Sequence, residues 1–377
     1  MVERRMRGVL AVVATAVVLS VTACGSDDPL GHPWRPGGPV EGASDLPDLA
    51  HLSGRIAGAG SSAQESAMQA WVAGFQSAAP DVSVAYDPVG SGGGRTQFVE
   101  GGIHFGGTDA PLDTDELARA QDRCAPGEVA ELPLYISPIA VVFNLEGIAS
   151  LNMSPQTVAG VFDRSITRWD APEIAVENPD VDLPDLRITP VNRSDESGTT
   201  ENFTEYLHEA APEAWPYPPS GDWPRSGGQS AQGNSGVIQT VTEARGTVTY
   251  ADASKVGTLG TARLGVGDEW VSFSPEAAAA VVDVSPRAEG RTDTSLVFAL
   301  DRTSTASGVY PLVLVSYTVA CTVYPDASDA ALVSAFLGYV SSEHGQAAAA
   351  QTAGSAPISD RLRTQVTGIL DSIRGPA

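Results

Sequence analysis

Apolar positions recur along most of the chain in two alternating patterns. Runs rich in Val, Ile, Leu or Tyr and bounded by turn residues predict strands at 82–86, 132–143, 188–191, 247–250 and 312–323. Between them, apolar residues at helical spacing predict helices over 62–78, 115–121, 154–162, 199–210, 235–244 and 327–342. Another helix follows at 359–373, so the chain is expected to end on two closing helices. Strands alternating with helices predict an α/β protein whose helices cover its sheets. The glycines and prolines at 90–94 and 216–228 fall between periodic segments and read as loops.

The first 24 residues break this pattern. Glu3, Arg4, Arg5 and Arg7 precede an almost wholly apolar run at 9–21, the n-region and h-region of a signal peptide. That run is too short to span a bilayer as a helix. It ends in Val21, Thr22, Ala23 and Cys24, which resembles a bacterial lipobox, with cleavage before Cys24 and lipid on its sulfur. An ordinary secretory peptide with an incidental cysteine is the alternative. The expected layout is a signal peptide at 1–23 and a Gly-, Pro- and Asp-rich flexible tether at 24–50, anchored on the extracytoplasmic face of the cell membrane.

Charge narrows the partners. Three arginines and one glutamate leave with the signal peptide, taking the formal charge from −24 to −26. Such a surface does not attract nucleic acid through its phosphates, and any anion must be held by local geometry. Of the three cysteines, Cys124 and Cys321 remain; they form a disulfide outside the cytoplasm or stay as two buried thiols. Two cysteines and five scattered histidines show no metal-ligand spacing, and no cofactor motif is present.

Four segments could hold an anion. Ser61 and Ser62 stand before Ala63 and a helix, where a hydroxyl caps the free N–H groups or an anion takes them. Ser91 lies among glycines that let backbone approach a ligand, in a run without the lysine of a Walker loop. Asp109 caps a turn before Pro111, or accepts from a ligand that carries a proton. Arg193, Ser197, Gly198 and Thr199 bring a guanidinium, hydroxyls and N–H groups to a helix start; singly, Arg193 reads as paired with Asp195 or Glu196.

In this order, the four segments resemble the phosphate-binding lipoproteins that serve bacterial phosphate import transporters. Further pieces match at 166–170, 233–236 ahead of 246–250, and 310–312, so the likeness runs from Gly58 to about Ile373. The resemblance implies a two-lobed periplasmic-binding-protein fold of type II, with mixed sheets flanked by helices and the lobes hinged. The roughly 325 residues after the tether suit two lobes. Lobe 1 is expected at 51–137 plus 309–377 and lobe 2 at 138–308. The implied contacts are Ser62, Ala63, Ser91 and Asp109 from lobe 1, and Arg193, Ser197, Gly198 and Thr199 from lobe 2, with Asp195 holding Arg193. One departure is Glu65, an extra carboxylate near the helix start that would oppose an anion if it faced inward.

The resemblance further implies a monomer that takes hydrogenphosphate or dihydrogenphosphate and delivers it to ABC transporter permease subunits. Asp109 would admit a protonated anion and reject sulfate. A binding protein for another oxyanion is the alternative. A secreted phosphatase is a further one, although these segments hold no Gly-x-Ser-x-Gly elbow to activate a serine, so no enzyme is expected.

Overall fold

The computed structural model describes residues 49–376. The expected signal peptide, the lipidation of Cys24 and nearly all of the tether lie outside the described residues. The first elements are β1 (Ser53–Gly60), α1 (Glu65–Ala78), β2 (Asp81–Asp87), α2 (Ser91–Val99), β3 (Phe105–Thr108), α3 (Thr114–Cys124) and β4 (Val129–Phe143). Next come β5 (Ser150–Met153), α4 (Pro155–Asp163), α5 (Pro172–Glu177), β6 (Thr189–Arg193), α6 (Gly198–Ala210), β7 (Gln229–Ala231), α7 (Gly233–Glu243) and β8 (Thr247–Asp252). A 3-10 turn at Ala253–Lys255 leads to β9 (Gly260–Val266), β10 (Glu269–Val271), α8 (Pro275–Val284) and β11 (Val313–Cys321). The described chain closes with α9 (Ala327–Ser341), α10 (Glu343–Ala353) and α11 (Asp360–Leu370).

One strand belongs to both lobes. The first lobe orders its sheet β2-β1-β3-β11-β4, and the second continues β4-β8-β6-β7, with β9 also on β4 and joined by β5 and β10. Residues 129–138 of β4 pair antiparallel with β11, and residues 139–143 pair antiparallel with β8. All of β4 is buried, which explains why its sequence is a continuous apolar run without alternation. β2, at the sheet edge, does alternate: Val82 and Val84 are buried between exposed neighbours.

Helices pack on each lobe through large aromatic residues. Met68, Trp71 and Phe75 line one face of α1, where the Trp71 ring nitrogen donates to Gly345 O at 2.7 Å, fixing α1 against α10. In the second lobe Phe162, Phe203 and Tyr250 pack together, with Phe203 stacked on Tyr250 at 4.2 Å between centroids. Among the described residues no helix is long and apolar enough to cross a membrane.

Two sequence expectations need correction. The glycines at 90–94 are not a loop, since Ser91 opens α2. A Cβ on Gly94 would stand 2.4 Å from Gly60 Cα, so these glycines let a helix approach β1 more closely than a side chain permits. Three helices close the chain, because α10 is made largely of Ala and Gln and shows no apolar period. Residues near 287–298, in the span expected for lobe 2, touch the span expected for lobe 1: Arg291 reaches Glu131 at 2.9 Å, and Phe298 N donates to Tyr317 Oη at 3.1 Å.

Cys124, at the end of α3, is disulfide-bonded to Cys321, at the end of β11, with Cα atoms 5.1 Å apart. Of the two readings left open by the sequence, the bridge is the one the structure contains. It joins parts of lobe 1 that are 197 residues apart in the chain. Replacing both cysteines with serine is expected to lower the unfolding free energy by about 5 kcal/mol, because the unfolded chain regains the entropy of that loop. Urea titration of the two proteins under non-reducing conditions checks this, with unchanged stability as the contrary result.

Candidate functional site

Four helices begin at the seam between the lobes. The segment before α1 carries Ser61 to Gln64, α2 opens on Ser91, α6 on Gly198 and α7 on Gly233. Each start leaves backbone N–H groups without intrahelical partners and presents the positive end of a helix dipole. Bonds across and along the seam bring these starts together. Asn234 donates through Nδ2 to Ser62 Oγ at 3.1 Å and to Thr199 Oγ1 at 3.2 Å. Thr199 Oγ1 donates to Asp109 Oδ2 at 3.2 Å, and Asp109 N donates to Ser91 Oγ at 3.1 Å.

The structure therefore brings Ser62, Ser91, Asp109, Arg193, Gly198 and Thr199 to one buried place, each by a traceable local cause. Arg193 is the last residue of β6 and only 2% exposed. Its Nε donates to Asp195 Oδ1 at 2.9 Å, and its Nη2 pairs with Asp195 Oδ2. Asp195 also accepts from Gly233 N at 3.0 Å, so the arginine is fixed by a residue that α7 holds in turn. The remaining nitrogen, Arg193 Nη1, is buried with no hydrogen-bond partner among the described residues. Asp109 Oδ1 is in the same condition. Burial raises the Asp109 carboxyl above its ordinary pKa, while the Ser61 and Ser316 hydroxyls, the Arg193 charge and the Thr199 hydroxyl oppose that rise.

Two expected donors are differently employed. Helix α1 starts at Glu65, and Ala63 N donates to the Ser61 hydroxyl at 3.1 Å, while Ser62 bonds across to Asn234. Ser197 is the N-cap of α6, its hydroxyl accepting from Thr200 N at 3.2 Å. Glu65 does not lie free beside the site, since its Oε2 is 2.8 Å from Lys255 Nζ and 3.2 Å from Ser235 Oγ.

Sequence reasoning assigned no role to Asn234, Asn202 or Tyr250. Asn234 is fully buried, and its Oδ1 accepts from Asp252 N at 2.9 Å, which aims its Nδ2 at the seam. Asn202 Nδ2 bridges Asp109 O at 2.7 Å and Gly198 O at 2.8 Å, tying the two lobes together. The hydroxyls of Tyr250 and Thr200 share a bond at 2.8 Å under Arg193. A signal existed for Asn234 and Tyr250, which sit in the matching segments at 233–236 and 246–250.

Gly198 shows how tightly the lobes meet. A Cβ there would stand 2.7 Å from both Asp109 Cβ and Ser91 Oγ, atoms of the opposite lobe. Gly198→Ala is expected to cost about 2 kcal/mol of closure, weakening ligand binding about thirtyfold. The melting temperature of the free protein should change little, because each lobe packs without that contact. Calorimetry paired with thermal denaturation checks both halves of this expectation; unaltered affinity would contradict it.

A family model described as a PBP superfamily domain matches residues 47–344. The phosphate-binding protein PstS 3 of Mycobacterium tuberculosis (strain ATCC 25618 / H37Rv) is 34% identical over 373 residues, covering 97% of each chain. The phosphate-binding protein PstS of Xylella fastidiosa is 31% identical over 272 residues, covering 70% of this chain and 71% of its own. Among solved structures, a high-affinity periplasmic phosphate-binding protein (PfluDING) bound with phosphate superposes with a TM-score of 0.68 at 20% identity. The match covers 86% of this chain and 100% of that one. A putative phosphate ABC transporter substrate-binding protein with bound phosphate from Clostridium perfringens gives 0.58 at 17% identity, covering 81% and 100%.

Proposed function

Because the chain belongs to the PBP superfamily and, within it, to the PstS phosphate-binding proteins, we propose that it captures inorganic phosphate between its lobes for ABC import. The observation that carries this reading is the pair of buried, unpartnered atoms Arg193 Nη1 and Asp109 Oδ1 where four helix starts meet. One donor of positive charge and one acceptor of negative charge suit an anion that still bears a proton.

Arg193 Nη1, the N–H groups of Gly198 and Thr199, and the hydroxyls of Ser62, Ser91 and Ser197 would hold the phosphate oxygens. Asp109 would accept a hydrogen bond from the phosphate O–H, and Asp195 would keep Arg193 aimed. For Ala63 N and the Thr199 hydroxyl to join, each would trade or share its present bond with Ser61 or Asp109. Many short bonds from fixed donors replace the hydration of the anion, so a ligand that engages both lobes stabilises the closed form.

The protein is a binding protein and no enzyme, handing its ligand to permease subunits outside the cytoplasm, held at the membrane by lipid on Cys24. Its disulfide fits that oxidising setting. Calorimetric titration with phosphate, arsenate and sulfate, on protein unfolded and refolded to strip bound anion, tests the reading. Micromolar or tighter phosphate binding with no turnover of a chromogenic phosphate ester is expected. Absence of phosphate binding would overturn it.

A further inference from the structure

Two ion pairs cross the seam without touching the proposed ligand. Arg95, on α2 of lobe 1, has a side chain only 6% exposed. Its Nε lies 2.8 Å from Glu116 Oε1 on α3, and its Nη1 donates to Thr108 Oγ1 at 3.0 Å, so its own lobe fixes it twice. The edge left over meets lobe 2, where Nη2 is 2.5 Å from Glu196 Oε1. Gly92 makes the approach sterically allowed: a Cβ there would stand 2.1 Å from Glu196 Oε2. Elsewhere on the seam, Lys255 of lobe 2 places Nζ 2.8 Å from Glu65 Oε2 at the start of α1, with the side chains 16% and 24% exposed.

We infer that Arg95–Glu196 and Lys255–Glu65 are latches that hold the lobes closed and slow ligand release. The inference rests on the phosphate-binding reading. Closing this protein brings two acidic lobes together, at a formal charge of −24 for the whole chain, around an anion that adds to the repulsion. Each latch forms only when the lobes meet, so its free energy belongs to the closed state and appears in the release rate. Partial burial makes these pairs stronger than fully exposed ones, and the half-exposed Glu196 leaves its latch sensitive to salt. Glu65, the departure that would oppose an anion, is thereby turned into an anchor.

Other charges face the Arg95 latch and set the conditions of a test. Glu116 and Glu196 pair with Arg95. Glu201, in the first turn of α6, has its carboxyl pushed up to about 7 by burial, with Arg95 opposing and Glu205, Glu116 and Glu196 reinforcing. Measurements at pH 8 and low ionic strength keep the carboxylates charged.

The test is stopped-flow release of phosphate from the full chain and its variants, with thermal denaturation confirming that each is folded. Lys255→Glu is expected to speed release about tenfold, and the charge swap Glu65→Lys with Lys255→Glu to return it to within about twofold of the parent. Glu196→Gln, a change at a half-exposed position that leaves folding intact, should speed release about threefold and make it less sensitive to added salt. A parent protein that binds phosphate while these variants release it at the parental rate, or a swap that fails to restore the rate, overturns the latches alone. A parent that does not bind phosphate overturns the reading beneath them.

Discussion

Replacing Arg193 with methionine is expected to weaken phosphate binding by about two to three and a half orders of magnitude, the cost of leaving a buried anion without its charge partner, roughly 3–5 kcal/mol. The guanidinium is held along one edge by Asp195, and its free nitrogen is buried at the meeting point of the helix starts. Methionine keeps most of the side-chain volume, so the packing under Tyr250 should survive. The change also frees Asp195, which retains its bond from Gly233 N. Calorimetry reads the affinity, and circular dichroism reports whether the fold persists. An affinity within tenfold of the parent would show that helix starts and hydroxyls alone hold the anion.

The second large effect concerns selectivity at Asp109. Hydrogenphosphate can donate to a carboxylate, whereas sulfate at neutral pH has no proton and would face a buried acceptor unpaired, a penalty worth about a thousandfold. Asp109→Asn replaces that acceptor with a group able to donate, so the preference for phosphate over sulfate is expected to fall to about tenfold. Competition calorimetry with both anions measures the ratio; an unchanged ratio would remove Asp109 from the account. Acid should mimic the substitution. Burial raises the Asp109 pKa, so its neutral form gains population as pH falls through that value, and discrimination should decline on the acid side and persist above it. Folding follows the same sign: the cost of burying the ionised group appears as pH rises through the folded pKa and is absent below the unfolded one.

Much of this was legible in the sequence because burial and pairing write regular patterns. The run around β4 has no polar alternation because both of its faces are covered, and α4 and α6 follow their apolar periods closely. Arg193 and Asp195 could be read as a pair because they are two residues apart on one strand exit. The start of α2 was not legible. Three successive glycines have low helix propensity, and only contact with Gly60 and Glu196 explains why a helix forms there. Nor could a sequence pair Arg95 with Glu196, or Lys255 with Glu65, across 101 and 190 positions. Asn234 stood in a segment that matches the family, but its role appears only when β8 supplies the N–H that orients it.

The bond between Cys124 and Cys321 also decides how the protein carries tension. Both described ends of the chain belong to lobe 1, and the 197-residue separation between the cysteines encloses all of lobe 2. A pull on the two ends would run through lobe 1 and across the sulfur bridge, bypassing the enclosed span, about 650 Å of extended chain at roughly 3.3 Å per residue. The moving jaw is therefore outside the load path. A protein tugged at its ends could be strained in one lobe while the other remained slack enough to open and close.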